Sequence, residues 1–123
     1  MSQDYEARKE SYLISTASSL LHMDVIHDYL SKESYWARNI PGDIVERSIS
    51  NSLCFGLYEK DKQIGFARVV TDKATFAYLA DVFIIENHRG KGLSKWLMEV
   101  ILAHPALQGL RRIMLATRDA HGL

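Results

Sequence analysis

The chain has 123 residues with 15 basic and 15 acidic side chains, a formal charge of zero, and 47% apolar against 24% charged residues, which suits one hydrophobic core and not two. A neutral chain sets up no field to gather nucleic acid or an anionic membrane surface, so a small molecule is the expected partner. No apolar run is long enough to span a bilayer, and the start Met1-Ser2-Gln3-Asp4-Tyr5-Glu6 is unlike a secretory signal, so one cytoplasmic domain over residues 1–123 is expected.

In chain order, residues 1–11 form a polar lead expected to be poorly ordered. Tyr12 to Ser15 reads as a short strand. Ser18 and Ser19 offer N-cap chemistry to a helix with Leu21, Val25, Ile26, Tyr29 and Leu30 at helical intervals. A loop from Ser31 to Asn39 carries Tyr35 and Trp36, and Pro41-Gly42-Asp43 opens a second helix through Ile44, Val45, Ser48 and Ile49. Leu53 to Tyr58 and Gln63 to Val70 alternate as a hairpin, and a turn at Thr71 to Ala74 leads into a strand over Thr75 to Ile85. Leu93, Trp96, Leu97, Val100, Ile101 and His104 repeat at helical spacing with Pro105 as the stop, and Arg112 to Thr117 reads as a last strand. A right-handed crossover should set it parallel to the Leu79 to Ile85 run.

The most informative stretch joins that run to the helix: Arg89-Gly90-Lys91-Gly92-Leu93-Ser94. A short turn opening straight into a helix leaves the first-turn N–H groups without carbonyl partners, and with the helix dipole they suit an anion. Glycine permits positive φ and puts no Cβ between backbone and phosphate. Two glycines at a strand-to-helix bend are also often a plain tight connection. The string Arg89-x-x-Gly92-x-Ser94, between a hydrophobic strand and a Trp-Leu-Met helix, resembles the coenzyme A loop of the GNAT superfamily of N-acetyltransferases, Gln/Arg-x-x-Gly-x-Gly/Ala, departing from it at Ser94.

The element order from about Tyr12, β-α-α-β-β-β-α-β, resembles the same family, which implies an α/β fold with a mixed sheet that splays open between the strand before the bend and the strand after the helix. By that resemblance acetyl-CoA is the co-substrate. The backbone of Val82, Phe83 and Ile84 would bond the pantetheine amides like an added strand. Backbone N–H groups within Arg89, Gly90, Lys91, Gly92, Leu93 and Ser94 would hold the phosphates, with Arg89 and Lys91 either adding charge or standing as solvated turn residues.

Acetyl transfer to an amine also needs a sink for a proton, and Asp81 is the candidate base. Strand alternation puts Asp81 on a face with Leu79 and Phe83, where a carboxylate is costly unless it works in catalysis or pairs with a base such as Arg68. The resemblance places Tyr35 and Trp36 near a small-molecule amine acceptor; the alternative is that they cover the core. Cys54 reads as a buried small hydrophobe. The five histidines lack metal-ligand spacing, so no metal is expected. His121 falls where the family continues into a helix with an acidic tyrosine, and the family's Tyr-x-x-x-Gly-Phe segment has no counterpart before Leu123. The resemblance therefore implies a C-terminally truncated domain, either dimerised through the edge of the last strand or marginally stable, and catalytically impaired for want of its acid, with a coenzyme-binding module as the alternative to an enzyme.

Overall fold

The computed structural model describes residues 4–115. Six strands form one mixed sheet in sequence order: β1 (Glu6–Lys9), β2 (Tyr12–Ser15), β3 (Leu53–Glu59), β4 (Lys62–Thr71), β5 (Phe76–Ile84) and β6 (Arg112–Leu115). All neighbours are antiparallel except β5 and β6, which run parallel on either side of a helical crossover. Among the described residues three α-helices flank the sheet: α1 (Met23–Asp28), α2 (Gly42–Ser50) and α3 (Leu93–Ala103).

The helices divide between two faces. Leu93, Leu97, Val100 and Ile101 of α3 pack with Phe55, Leu57, Val69 and Leu79. On the other face, Ile26 and Leu30 from the α1 region and Val45 of α2 pack with Cys54, Phe66 and Phe83. Each fully buried apolar side chain contributes about 1.5–3 kcal/mol relative to exposure, so both layers are needed to hold so small a sheet. None of the described helices is long and apolar enough to cross a membrane.

Three sequence expectations change. The lead read as poorly ordered contains β1, an edge strand whose polar residues hide it from a hydrophobicity reading; a two-residue turn with Glu10 at φ 56° returns it onto β2. Ser18 and Ser19 cap no long helix, because they lie in a separate 3₁₀ turn, Ser18–Leu20, and α1 starts after His22. Where a loop was expected from Ser31, the chain first makes a π-type turn over Tyr29–Glu33. The β3–β4 hairpin and the stop before Pro105 stand as read.

β1 is tied to the core through an acid-sensitive contact. His104 Nδ1 accepts from the Ala106 N–H at 3.0 Å, and its ring lies 4.9 Å from that of Tyr5. Burial first, and the Lys73 charge second, hold its pKa below the usual histidine value. A depressed folded-state pKa means that the unfolded chain takes up the proton first, so this stability is present above the ordinary histidine pKa of about 6.5 and is lost as pH falls. Urea midpoints should therefore drop between neutral and mildly acidic pH, and His104→Gln should flatten that part of the profile; an unchanged slope would remove His104 as its source.

Candidate active site

The site begins with a count of residues along β5. Arg68 faces Asp81 and Val69 faces Leu79, so Ala80 is an extra residue with no partner on β4. Such a bulge re-aims the side chains that follow it. Leu79 packs on the α3 face whereas Phe83 packs on the α1/α2 face, and Asp81, opposite Arg68, goes with Phe83. The alternation that placed Asp81 on a face with both Leu79 and Phe83 is thus corrected: it shares one only with Phe83.

On that face Cys54, Arg68 and Asp81 stand in register across β3, β4 and β5. Arg68 Nε donates to Asp81 Oδ2 at 2.8 Å and a terminal nitrogen donates to Ser52 Oγ at 3.1 Å. Trp36 Nε1 donates to Asp81 Oδ1 at 2.7 Å. Asp81 is only 7% exposed, so these two donors replace much of the water that its charge has lost. Both readings of Asp81 meet here, since it pairs with Arg68 and also faces the cleft.

Local bonds aim Trp36. The buried Ser34 hydroxyl donates to the Leu30 carbonyl at 2.6 Å and accepts from the Ala37 N–H at 3.1 Å, closing the segment around Tyr35 and Trp36. The two rings meet edge to face at 5.2 Å, and each keeps at least 40% exposure, so they wall a cleft and do not fill the core.

At the other end, β5 passes through a 3₁₀ turn at Glu86–His88 into the glycine bend. Gly90 and Gly92 have φ of 79° and 76°, left-handed values that favour glycine, and space is open where a Cβ would stand. Gly92 is the N-cap of α3 and no side chain caps the helix, so its first-turn amides are left for a ligand. Arg89, though exposed, is engaged with the chain: its Nε donates to the Ile84 carbonyl at 2.9 Å and its guanidinium donates to Tyr29 Oη at 2.7 Å. Tyr29 in turn stacks on Phe83 at 4.0 Å. Arg89 therefore braces the bend against β5 and the π-type turn.

β6 pairs with Phe76 to Leu79 and not with the Leu79 to Ile85 run as expected, so among the described residues β6 leaves Ala80 to Ile84 unpaired on that side. A cleft of about 1160 Å³ opens there. It is lined by Tyr35, Trp36, Asp81, Val82, Phe83, Ile84, Arg89, Gly90, Gly92, Leu93 and Ser94, which brings together every site residue chosen from sequence except Lys91. Lys91 does not line it. Sequence reasoning missed Tyr29, Tyr78 and His88, which also line the cleft; Tyr29 was hidden in a helical repeat and Tyr78 by the bulge that follows it. Ala116, Thr117 and His121, together with the segment after the last strand, lie outside the described residues.

The composition of this cleft, a strand edge left unpaired among the described residues beside uncapped helix amides, is that of a site for an extended anionic ligand. A family model described as the acetyltransferase (GNAT) family matches residues 23–122. The chain belongs to the GNAT family of acetyltransferases. A curated relative from Gibberella zeae, named "putative acetyltransferase", is 37% identical over 130 residues that cover 88% of this chain and 72% of the relative. A crystal structure from Xanthomonas campestris, described as a "putative acetyltransferase belonging to the GNAT family", matches with a TM-score of 0.88 and 54% identity over 90% of this chain and 78% of that one. A GNAT acetyltransferase from Elizabethkingia anophelis with acetyl-CoA bound has a TM-score of 0.56 over 76% of this chain and 57% of its own, and at 10% identity that is a likeness of fold.

Nothing supports Cys54 as a nucleophile in this GNAT site. Burial pushes its thiol up to about 12, the Arg68 charge pulling it down less than burial raises it. Near pH 8 its thiolate fraction is then about 10³-fold below that of an ordinary thiol, and a disulfide reagent should react with the native protein at the rate at which it opens. A fast reaction that denaturant does not accelerate would show Cys54 to be accessible. Among the described residues no cluster of His, Cys, Asp or Glu is placed to hold a metal ion.

Proposed function

We propose that this chain transfers the acetyl group of acetyl-CoA to a primary amine of a small molecule. The observation that carries the reading is the continuity of one cleft from the uncapped start of α3, past the free edge of Val82 to Ile84, to the Asp81 carboxylate. The bend fits the diphosphate because its glycines leave space where a side chain would stand. The α3 amides of Leu93 and Ser94 would hold the phosphates, and the β5 edge would pair with the pantetheine amides. Bound there, the donor supplies an acetyl thioester.

The remaining work falls to the chain's own side chains. A carboxylate has about four acceptor positions; Trp36 and Arg68 use two, and the others are left to receive the proton that the amine sheds. Trp36 and Arg68 between them fix the orientation of that carboxylate. Tyr35 and Trp36 wall the acceptor end.

Calorimetric titration of acetyl-CoA and coenzyme A, followed by thiol release over a panel of amines, tests the reading. Binding with amine-dependent thiol release is expected, and no binding at millimolar ligand would end it. One observation favours a coenzyme-binding module instead: both Asp81 oxygens are already engaged. Binding without thiol release from any amine would select that alternative.

A further inference from the structure

We infer that the acceptor end of the cleft selects a monoamine on an apolar body, aryl or alkyl, over an amino acid and over a diamine; this rests on the acetyltransferase reading and names its substrate class. Among the described residues Asp81 is the cleft's only carboxylate, so the acceptor end has one place for one amine. Its nearest cation is committed: Arg68 gives Nε to Asp81 and a terminal nitrogen to Ser52, with 19% of its side chain exposed. An acceptor carrying its own carboxylate would bring that charge against Asp81 without a free guanidinium to receive it.

A second ammonium fares no better. Beyond Asp81 the cleft is walled by Ile40, Ile44 and the rings of Tyr35 and Trp36, and a charge laid against Ile40 and Ile44 loses water and gains no counter-ion. Hydrocarbon loses nothing there. Ring faces also tolerate one nearby cation, so a single amine is accepted on its way to Asp81 whether it enters charged or neutral. A site that leaves a charge unpaired rejects a ligand more strongly than one that merely misfits a methylene, which sets the expected discrimination at about tenfold or more.

Matched pairs isolate the charge from the body: phenethylamine against phenylalanine adds only a carboxylate, and hexylamine against hexamethylenediamine adds only an ammonium. With the full chain, thiol release from acetyl-CoA gives kcat/KM for each, and thermal shift records amine binding with and without coenzyme A. In both pairs the monoamine is expected to lead by about tenfold or more in kcat/KM, or to give the larger shift where turnover is too slow to read. Ile44→Glu, which places a second carboxylate on the wall at a position 38% exposed, should close the gap for the diamine and leave that for phenylalanine open. Equal rates within each pair, a lead for phenylalanine or the diamine, or no response to either monoamine would overturn the inference. Failure of acetyl-CoA to bind would sink the acetyltransferase reading alone, because amine preference is also read without coenzyme.

Discussion

Asp81→Asn is expected to lower thiol release by about 10²- to 10⁴-fold, the usual contribution of a positioned proton acceptor. Asparagine keeps one oxygen for Trp36 or Arg68 but no charge, so the Arg68 guanidinium is left largely buried opposite a neutral group. Removing one partner of a buried ion pair costs about 3–5 kcal/mol, and the 19% exposure of Arg68 puts this site at the lower end of that range. Activity and stability therefore fall together in the single variant, which by itself does not separate the two roles. Arg68→Met combined with Asp81→Leu does, because an apolar pair of similar volume often restores the fold. Chemical denaturation should show stability regained and the enzyme assay should show activity still lost. A double variant that recovers turnover would reduce Asp81 to a structural ion.

Gly92→Val is expected to weaken acetyl-CoA binding by more than about tenfold. A residue with a Cβ pays about 1–2 kcal/mol to adopt the left-handed conformation, and β-branching adds to this. At φ 76° on the N-cap of α3, the backbone relieves that strain only by rotating the amides of Leu93 and Ser94 away from the cleft. Space is open around the new side chain, so the loss arises from backbone direction and not from a clash in the core. The unfolding free energy should fall by no more than the strain itself. Lys91→Ala, at a position off the cleft lining, should change affinity by about twofold at most, the range of a surface substitution. Calorimetry on the two variants side by side checks both, and equal losses would mean that charge around the bend matters more than its amides.

What could be read beforehand depended on how local each signal was. Gly92 and Ser94 announce the bend, the alternation of Leu53 to Tyr58 and Gln63 to Val70 announces the hairpin, and the apolar spacing from Leu93 to Ile101 announces α3; each is set by contacts within a few residues. The bond from Trp36 to Asp81 joins residues 45 positions apart, and no periodicity encodes it. Arg89 looked like a phosphate ligand because its charge is visible in the sequence, whereas the Ile84 carbonyl and Tyr29 hydroxyl that occupy it are visible only in three dimensions. β1 went unread because Glu6-Ala7-Arg8-Lys9 is mostly charged and carries no apolar alternation, although it pairs with β2 at the rim of the sheet.

Because Ala80 is unpaired, the faces of Leu79 and Asp81 are set by their partners on β4 and not by even spacing along the chain. Alanine there bears no special side chain, and serine in its place would keep every neighbour where it is. Deleting it would join Leu79 directly to Asp81, whose partners Val69 and Arg68 are themselves adjacent, so the ladder would close with every side chain beyond keeping its face. The carboxylate would stay beside Trp36 and Arg68, and β5 would lose only the local bend and twist that the extra residue gives it. A gap at this one position would thus isolate what the bend itself contributes to the shape of the cleft, with Asp81, Val82 and Ile84 each left on its own side of the sheet.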